Sequence, residues 1–246
     1  MPSRYDDRPQ YRVSFGGAMT PAVKTLILIN VAVYVLELFI KGIGGDEPHD
    51  LWQSLFALNP VEVFQRFRVW QLVTYMFMHS INGLFHILFN MLVLWMFGSE
   101  IERVWGARRF ARYYLITGVG AGIVNCAFVM QSRTVGASGA IFGLIVAYAM
   151  LFPTRTILFW GIFPMTARQF ALLIGAIELI TLGAFSPDGV ARFAHLGGAL
   201  TGYILMRGFW DPRSLIADIR WRIRRRRFRT ISKRGEGGRD RSYPFH

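Results

Sequence analysis

Cysteine is almost absent from this chain, with one residue, Cys126, in 246. A lone thiol excludes an intrachain disulfide framework and a zinc site built from several cysteines, and its apolar neighbours make it a packing residue. Charge is scarce too, at 17% of residues. With 53% hydrophobic residues and a mean hydropathy of +0.33, the chain is too apolar for an ordinary soluble domain. No segment has the pattern of a cleaved signal peptide, because the first apolar run starts near Pro21 and lacks a small-residue cleavage signature. It reads as a retained span. No solenoid-type repeat is present.

Six apolar runs near spanning length are present: 21–40, 84–102, 110–130, 137–152, 169–185 and 193–210, the fourth stopped by Pro153. They predict an all-α, polytopic membrane domain of six transmembrane helices over 21–210. A polar cytoplasmic tail (1–20) precedes it and a basic cytoplasmic tail (211–246) follows. Two further apolar runs are too short to span: 71–78 is expected to be interfacial or re-entrant, and 157–165 to lie at the interface.

Acidic residues are the rarer charge, 15 against 28 basic, for a net +13. That balance first suggests nucleic acid, but the placement points elsewhere. With both termini inside, 23 of the 28 Lys and Arg lie on the inner side, leaving Lys41, Arg66, Arg68, Arg133 and Arg192 outside. This is the positive-inside pattern, and it places both termini in the cytoplasm. "RWRIRRRRFR" (220–229) then sits where anionic lipid headgroups attract arginine. Leu215, Ile216, Ile219 and Ile223 recur at helical spacing, as in an amphipathic helix lying on the membrane. The expected partner is lipid, not nucleic acid.

Polar groups inside the apolar runs are costly and often mark function. His86 and Asn90 in "HILFN" are four residues apart, on one helix face. Ser138 lies in "GASG" and His195 in "AHLGGALTG". Singly, each reads as packing or hydrogen-bonded structure. Together they meet the needs of a serine nucleophile, which requires a base within about 3 Å and donors for a developing oxyanion. Ser138 and His195 can meet only if their helices nearly touch. Gly139 and Gly143 on the fourth span, and Ala194, Gly198 and Gly202 on the sixth, are the small residues that permit such contact. His195, Gly198 and Gly202 share a face, and Phe142, one turn after Ser138, is placed to pack on the imidazole. Ser138 also opens its helix, where free N–H groups stabilise negative charge. The Asn90 amide and His86 ring can donate toward the same point.

"HILFN", "GASGAIFG" and "AHLGGALTG", in that order on spans two, four and six, resemble the rhomboid family of intramembrane serine proteases. The likeness runs from about 21 to 210 and includes "VWQLVTYMFMHS", "GSEIERVWG" and "FPTRTILFW". It implies a six-helix bundle with a water-filled cavity and a Ser–His dyad that has no third, acidic member. By the same likeness Ser138 is the nucleophile and His195 the base, with His86, Asn90 and the Ser138 backbone N–H forming the oxyanion site. Gly136, Gly139, Phe142, Gly198 and Gly202 are their supports. Substrates of the family are typically single-span membrane proteins, and the fifth span with the loop around 184–193 resembles its substrate gate and cap. One departure is Trp70-Gln71, where the family often has Trp-Arg. Glu102 and Gly106 match its Glu-xxx-Gly, and Glu102 is expected to be an inner-face structural anchor.

Two carboxylates are candidates for a third member. Asp188 falls in a polar loop and is expected to be solvated; Glu178, inside span five, is expected to hydrogen-bond a neighbouring helix. The dyad is preferred. His79 is expected to serve the outer loop by hydrogen bonding, and His49 and His246 carry no readable role. His79, His86 and His195 have no carboxylate or cysteine joining them at ligand spacing, so neither metal nor cofactor is expected. The rival reading is a catalytically silent rhomboid-like protein that binds membrane clients. Such relatives typically lose the serine or the histidine, and this chain keeps both. A transporter would want a polar path across the whole bilayer, whereas these polar groups gather in its outer half. The expected location is a prokaryotic inner membrane.

Overall fold

The structure, a computed structural model, describes residues 17–130, 133–159, 161–182 and 189–209. Most of the N-terminal tail, Asp188 and the expected amphipathic helix of the basic tail lie outside the described residues.

The first apolar run forms α1 (Pro21–Gly44). Pro21 stands at its first position, where a missing N–H costs nothing, and the chain leaves it through Gly45 at φ 78°. Its 24 residues give about 36 Å of helix. Three short helices follow: α2 (Asp46–Phe56), α3 (Pro60–Gln65) and α4 (Gln71–Thr74), the last running into a 3-10 turn at Tyr75–Phe77. Asn59 caps α3 by accepting from the Val61 N–H at 3.0 Å. Gln71 is fully buried and ties this loop together. Its Oε1 accepts from the Asn59 N–H at 3.0 Å and its Nε2 donates to the Ser54 carbonyl at 2.9 Å. A neutral amide thus satisfies the site where the family pattern has arginine.

The second run is α5 (Leu84–Val93), a π-helical turn (Leu94–Gly98) and α6 (Ser99–Trp105) in succession. It stops at Gly106, φ 77°, whose N–H returns to the Glu102 carbonyl at 2.7 Å. The Glu102 carboxylate accepts from the Ala22 and Val23 N–H groups, both at 2.9 Å, and from the Thr20 hydroxyl. A negative charge thereby caps the N-terminal end of α1, the anchoring role expected of it.

The third run is α7 (Ala107–Phe128), and the fourth is α8 (Ser138–Leu151), which ends two residues before Pro153. The short run 157–165, expected at the interface, is not helical. It is an antiparallel hairpin of β1 (Thr156–Phe159) and β2 (Phe163–Thr166), with Ile157 opposite Met165. Gly161 at φ 72° supplies the positive φ of its turn. The all-α expectation therefore has one exception. The fifth run is α9 (Ala167–Leu182) and the sixth α10 (Gly189–Ile204), followed by a π-helical turn (Leu205–Phe209). The chain divides into two units, Met1–Tyr203 and Ile204–His246.

Among the described residues, Pro21–Gly44 and Leu84–Trp105 are long and apolar enough to cross a membrane; Ser138–Leu151 is apolar but shorter. The core lies around α7 and α8, where Tyr75, Phe110, Tyr113, Tyr114 and Leu144 are almost wholly excluded from solvent. Two of these tyrosines hydrogen-bond backbone carbonyls. Tyr75 donates to Gly118 at 2.7 Å and Tyr113 to Gly143 at 2.8 Å. Each hydroxyl is satisfied without water, as burial demands.

Candidate active site

Ser138 is the first residue of α8, just after Gly136, whose φ of 123° is closed to most side chains. A methyl group on Gly136 would also come within 2.9 Å of His86 Cε1. That glycine lets the chain pass the His86 ring and turn directly into the helix. The Ser138 hydroxyl is left half-buried beside the free N–H groups of the first helical turn.

His195 reaches it from α10, with Nε2 at 2.8 Å from Ser138 Oγ. The small residues make this approach possible. A Cβ on Gly198 would lie 1.8 Å from the Gly139 carbonyl oxygen, and one on Gly202 would lie 2.8 Å from Gly143 Cα. The two backbones therefore touch at Gly139/Gly198 and again at Gly143/Gly202. Behind α8, Gly139 faces Ala121, and Gly143 faces Thr117. Phe142 stacks on the His195 ring at 4.4 Å between centroids and 8° between planes. Of the five residues expected as supports, Gly136 lies against His86, Phe142 stacks on His195, and Gly139 meets Gly198, while Gly202 meets Gly143 farther along the two helices.

His86 and Asn90 stand on α5, and Asn90 is buried. One amide hydrogen of Asn90 goes to the His86 carbonyl at 2.7 Å. An amide has two donors, so one is left over from this bond. His79 makes its hydrogen bond through the backbone. Its backbone N–H donates to Glu37 Oε2 at 3.2 Å, but neither ring nitrogen has a hydrogen-bond partner among the described residues. Burial, with the His86 ring beside it, pushes the His79 imidazole down to about 4, so it stays neutral. Glu37, which the sequence reading passed over, is fully buried on α1. It also accepts from Gln53 Nε2 at 2.6 Å, binding α2 to the first helix. A carboxylate inside an apolar run was the available signal.

Glu178 is expected to reach a neighbouring helix. It does bond a neighbouring helix, but its partner is His195 itself: Glu178 Oε1 lies 3.0 Å from Nδ1. A carboxylate therefore stands beside the expected Ser138–His195 pair. Among the described residues, no group of three or more His, Cys, Asp or Glu is placed to hold a metal ion.

Comparison with known proteins adds a family to this geometry. A family model for the rhomboid domain matches residues 66–211. RHOMBOID-like protein 1 of Arabidopsis thaliana is 30% identical over 210 residues, covering 74% of this chain and 51% of that protein. Rhomboid protease GluP of Bacillus subtilis is 27% identical, covering 77% of this chain and 36% of that protein. Rhomboid protease AarA of Providencia stuartii is 29% identical, with 74% and 69% covered. The chain spans about half the length of the first of these.

Proposed function

The chain belongs to the rhomboid family, whose members are membrane proteins, and on that premise we propose that it is an intramembrane serine endopeptidase cutting single-span transmembrane proteins. The observation that carries the reading is the 2.8 Å contact between Ser138 Oγ and His195 Nε2 at the N-terminus of α8.

In this reading Ser138 attacks the scissile carbonyl carbon while its proton passes to His195 Nε2. The carbonyl oxygen becomes an oxyanion, held by the Ser138 N–H, the free amide hydrogen of Asn90 and the His86 ring. Collapse breaks the C–N bond, and His195 returns the proton to the leaving amine. Water, activated by the same histidine, then cleaves the acyl-serine ester. No cofactor enters these steps.

The membrane frame proposed with it has six spans: α1, α5 to α6, α7, α8, α9 and α10. Both termini are cytoplasmic in the cell's inner membrane, and the 220–229 arginines rest on anionic lipid. The 14 residues of α8 make about 21 Å of helix, less than a hydrocarbon core of about 30 Å. If the inner end is level with the membrane boundary, Ser138 lies well below the outer one. Substrate enters beside α9, and water from the outer side.

Purified protein in liposomes with a tagged single-span substrate tests the activity. Wild type cleaves it, and Ser138→Ala and His195→Ala do not, while all three stay folded. A folded wild type that retains such substrates without cutting them establishes the silent client-binding reading instead. For topology, a reporter fused after His246 reads as cytoplasmic; an external signal overturns the orientation.

A further inference from the structure

A stacked histidine still has two ways to face its serine. Packing on Phe142 fixes the plane of the His195 ring, but a half-turn about χ2 keeps that plane and moves Nε2 away from Ser138. Nor does stacking choose the tautomer. Ser138 can give up its proton only to a nitrogen with a free lone pair, so Nε2 must be bare and Nδ1 must carry the hydrogen. Something has to accept from Nδ1.

We propose that Glu178 is a third member of the site, a positioning residue that holds His195 through Nδ1 and makes the proposed dyad a Ser138–His195–Glu178 triad. The inference rests on the protease reading above. Glu178 Oε1 is 3.0 Å from Nδ1, and the two side chains keep only 15% and 17% of their exposure. Oε2 is buried without a hydrogen-bond partner among the described residues, a costly state for a carboxylate. A role in packing alone would not require that cost, since an apolar side chain fills space without it. With the Nδ1 hydrogen on Glu178, Nε2 accepts from Ser138. The carboxylate also faces the imidazolium formed when the serine proton arrives, and it takes no proton itself. The contact has a companion one turn away. Arg192 Nη1 donates to the Thr181 carbonyl, so residues 178 and 181 of α9 meet 192 and 195 of α10 in register.

The test uses full-length wild type, Ser138→Ala, Glu178→Ala and the near-isosteric Glu178→Gln in liposomes. Active sites are titrated with a fluorophosphonate, and kcat and KM are taken per titrated site. Glu178→Ala is expected to lose about 10²-fold in kcat and in the fluorophosphonate labelling rate, with KM within about twofold. Glu178→Gln, whose amide oxygen still accepts from Nδ1, is expected to lose about 10-fold. A merely structural carboxylate lowers the melting temperature and the titratable fraction but leaves kcat per site unchanged. If Glu178→Ala retains kcat and labelling rate within about twofold, the triad is wrong and the protease reading stands. If the alanine variant does not fold, the same standard applies to Glu178→Gln. A folded wild type that neither cleaves nor labels overturns both.

Discussion

A methyl group added to Gly198 on α10 would sit 1.8 Å from the carbonyl oxygen of Gly139, whereas one added to Gly175 on α9 meets no atom within 4 Å. These two glycines summarise two regions built on opposite terms. Along α8, Gly139, Ala140, Ile141, Gly143, Leu144, Ile145, Ala147 and Tyr148 are all buried, and small residues bring neighbouring backbones into contact. Along α9, Ala167 is the one buried residue among those described, while Leu172, Leu179 and Ile180 lie open. Glycine at position 198 is a steric necessity. At position 175 it is only a weak helix former. The pair proposed to carry the chemistry sits on the first kind of packing, and the carboxylate facing it comes from the second.

Substitutions can break this contrast at several strengths. The largest effect is expected within the pair: Ser138→Ala should lower kcat for a single-span substrate about 10⁴-fold or more, with the melting temperature in detergent unchanged. Next is Gly198→Ala, which forces α10 away from α8 and with it His195 from Ser138. It should cost about 3 kcal/mol in unfolding measurements and lower activity more than stability alone explains. Glu102→Ala removes the acceptor for two N–H groups at the start of α1 and should cost about 2 kcal/mol, without touching kcat per titrated site. Gly175→Ala sharpens the comparison by reversing the sign. The new methyl meets nothing and the helix gains a better residue, so stability should rise by about 0.5 kcal/mol. Smallest of all is Leu179→Ala, expected within about 0.5 kcal/mol, because lipid tails solvate either side chain. A Gly198→Ala protein as stable as Gly175→Ala would erase the distinction.

The helices were legible because apolar runs, Pro21, Gly106 and Pro153 mark their limits by local chemistry. The meeting of Ser138 with His195 was legible as well, since Gly139, Gly198 and Gly202 leave little else for those helices to do. What escaped depends on how distant segments are rotated against each other. Nothing in "QFALLIGAIELITLGAF" says which way Glu178 points, because the run's own pattern does not fix the phase of α9 about α10. The hairpin escaped for another reason. "ILFWGIFPM" has neither a helical nor an alternating period, and Gly161 alone is a weak sign of a turn. His79 and Gln71 show a third limit. A polar residue in a loop announces a hydrogen bond but not whether backbone or side chain makes it.

The contact between Gly139 and Gly198 has a mechanical corollary. With one backbone seated against the other and no side chain between them to yield, α8 and α10 have no slack for sliding or rocking, so serine and histidine travel as a single block. They form a fixed anvil. In the proposed protease, whatever opening a bulky polypeptide demands would come from the perimeter, and a lipid or a substitution that stiffens the perimeter should slow admission without blunting the tool.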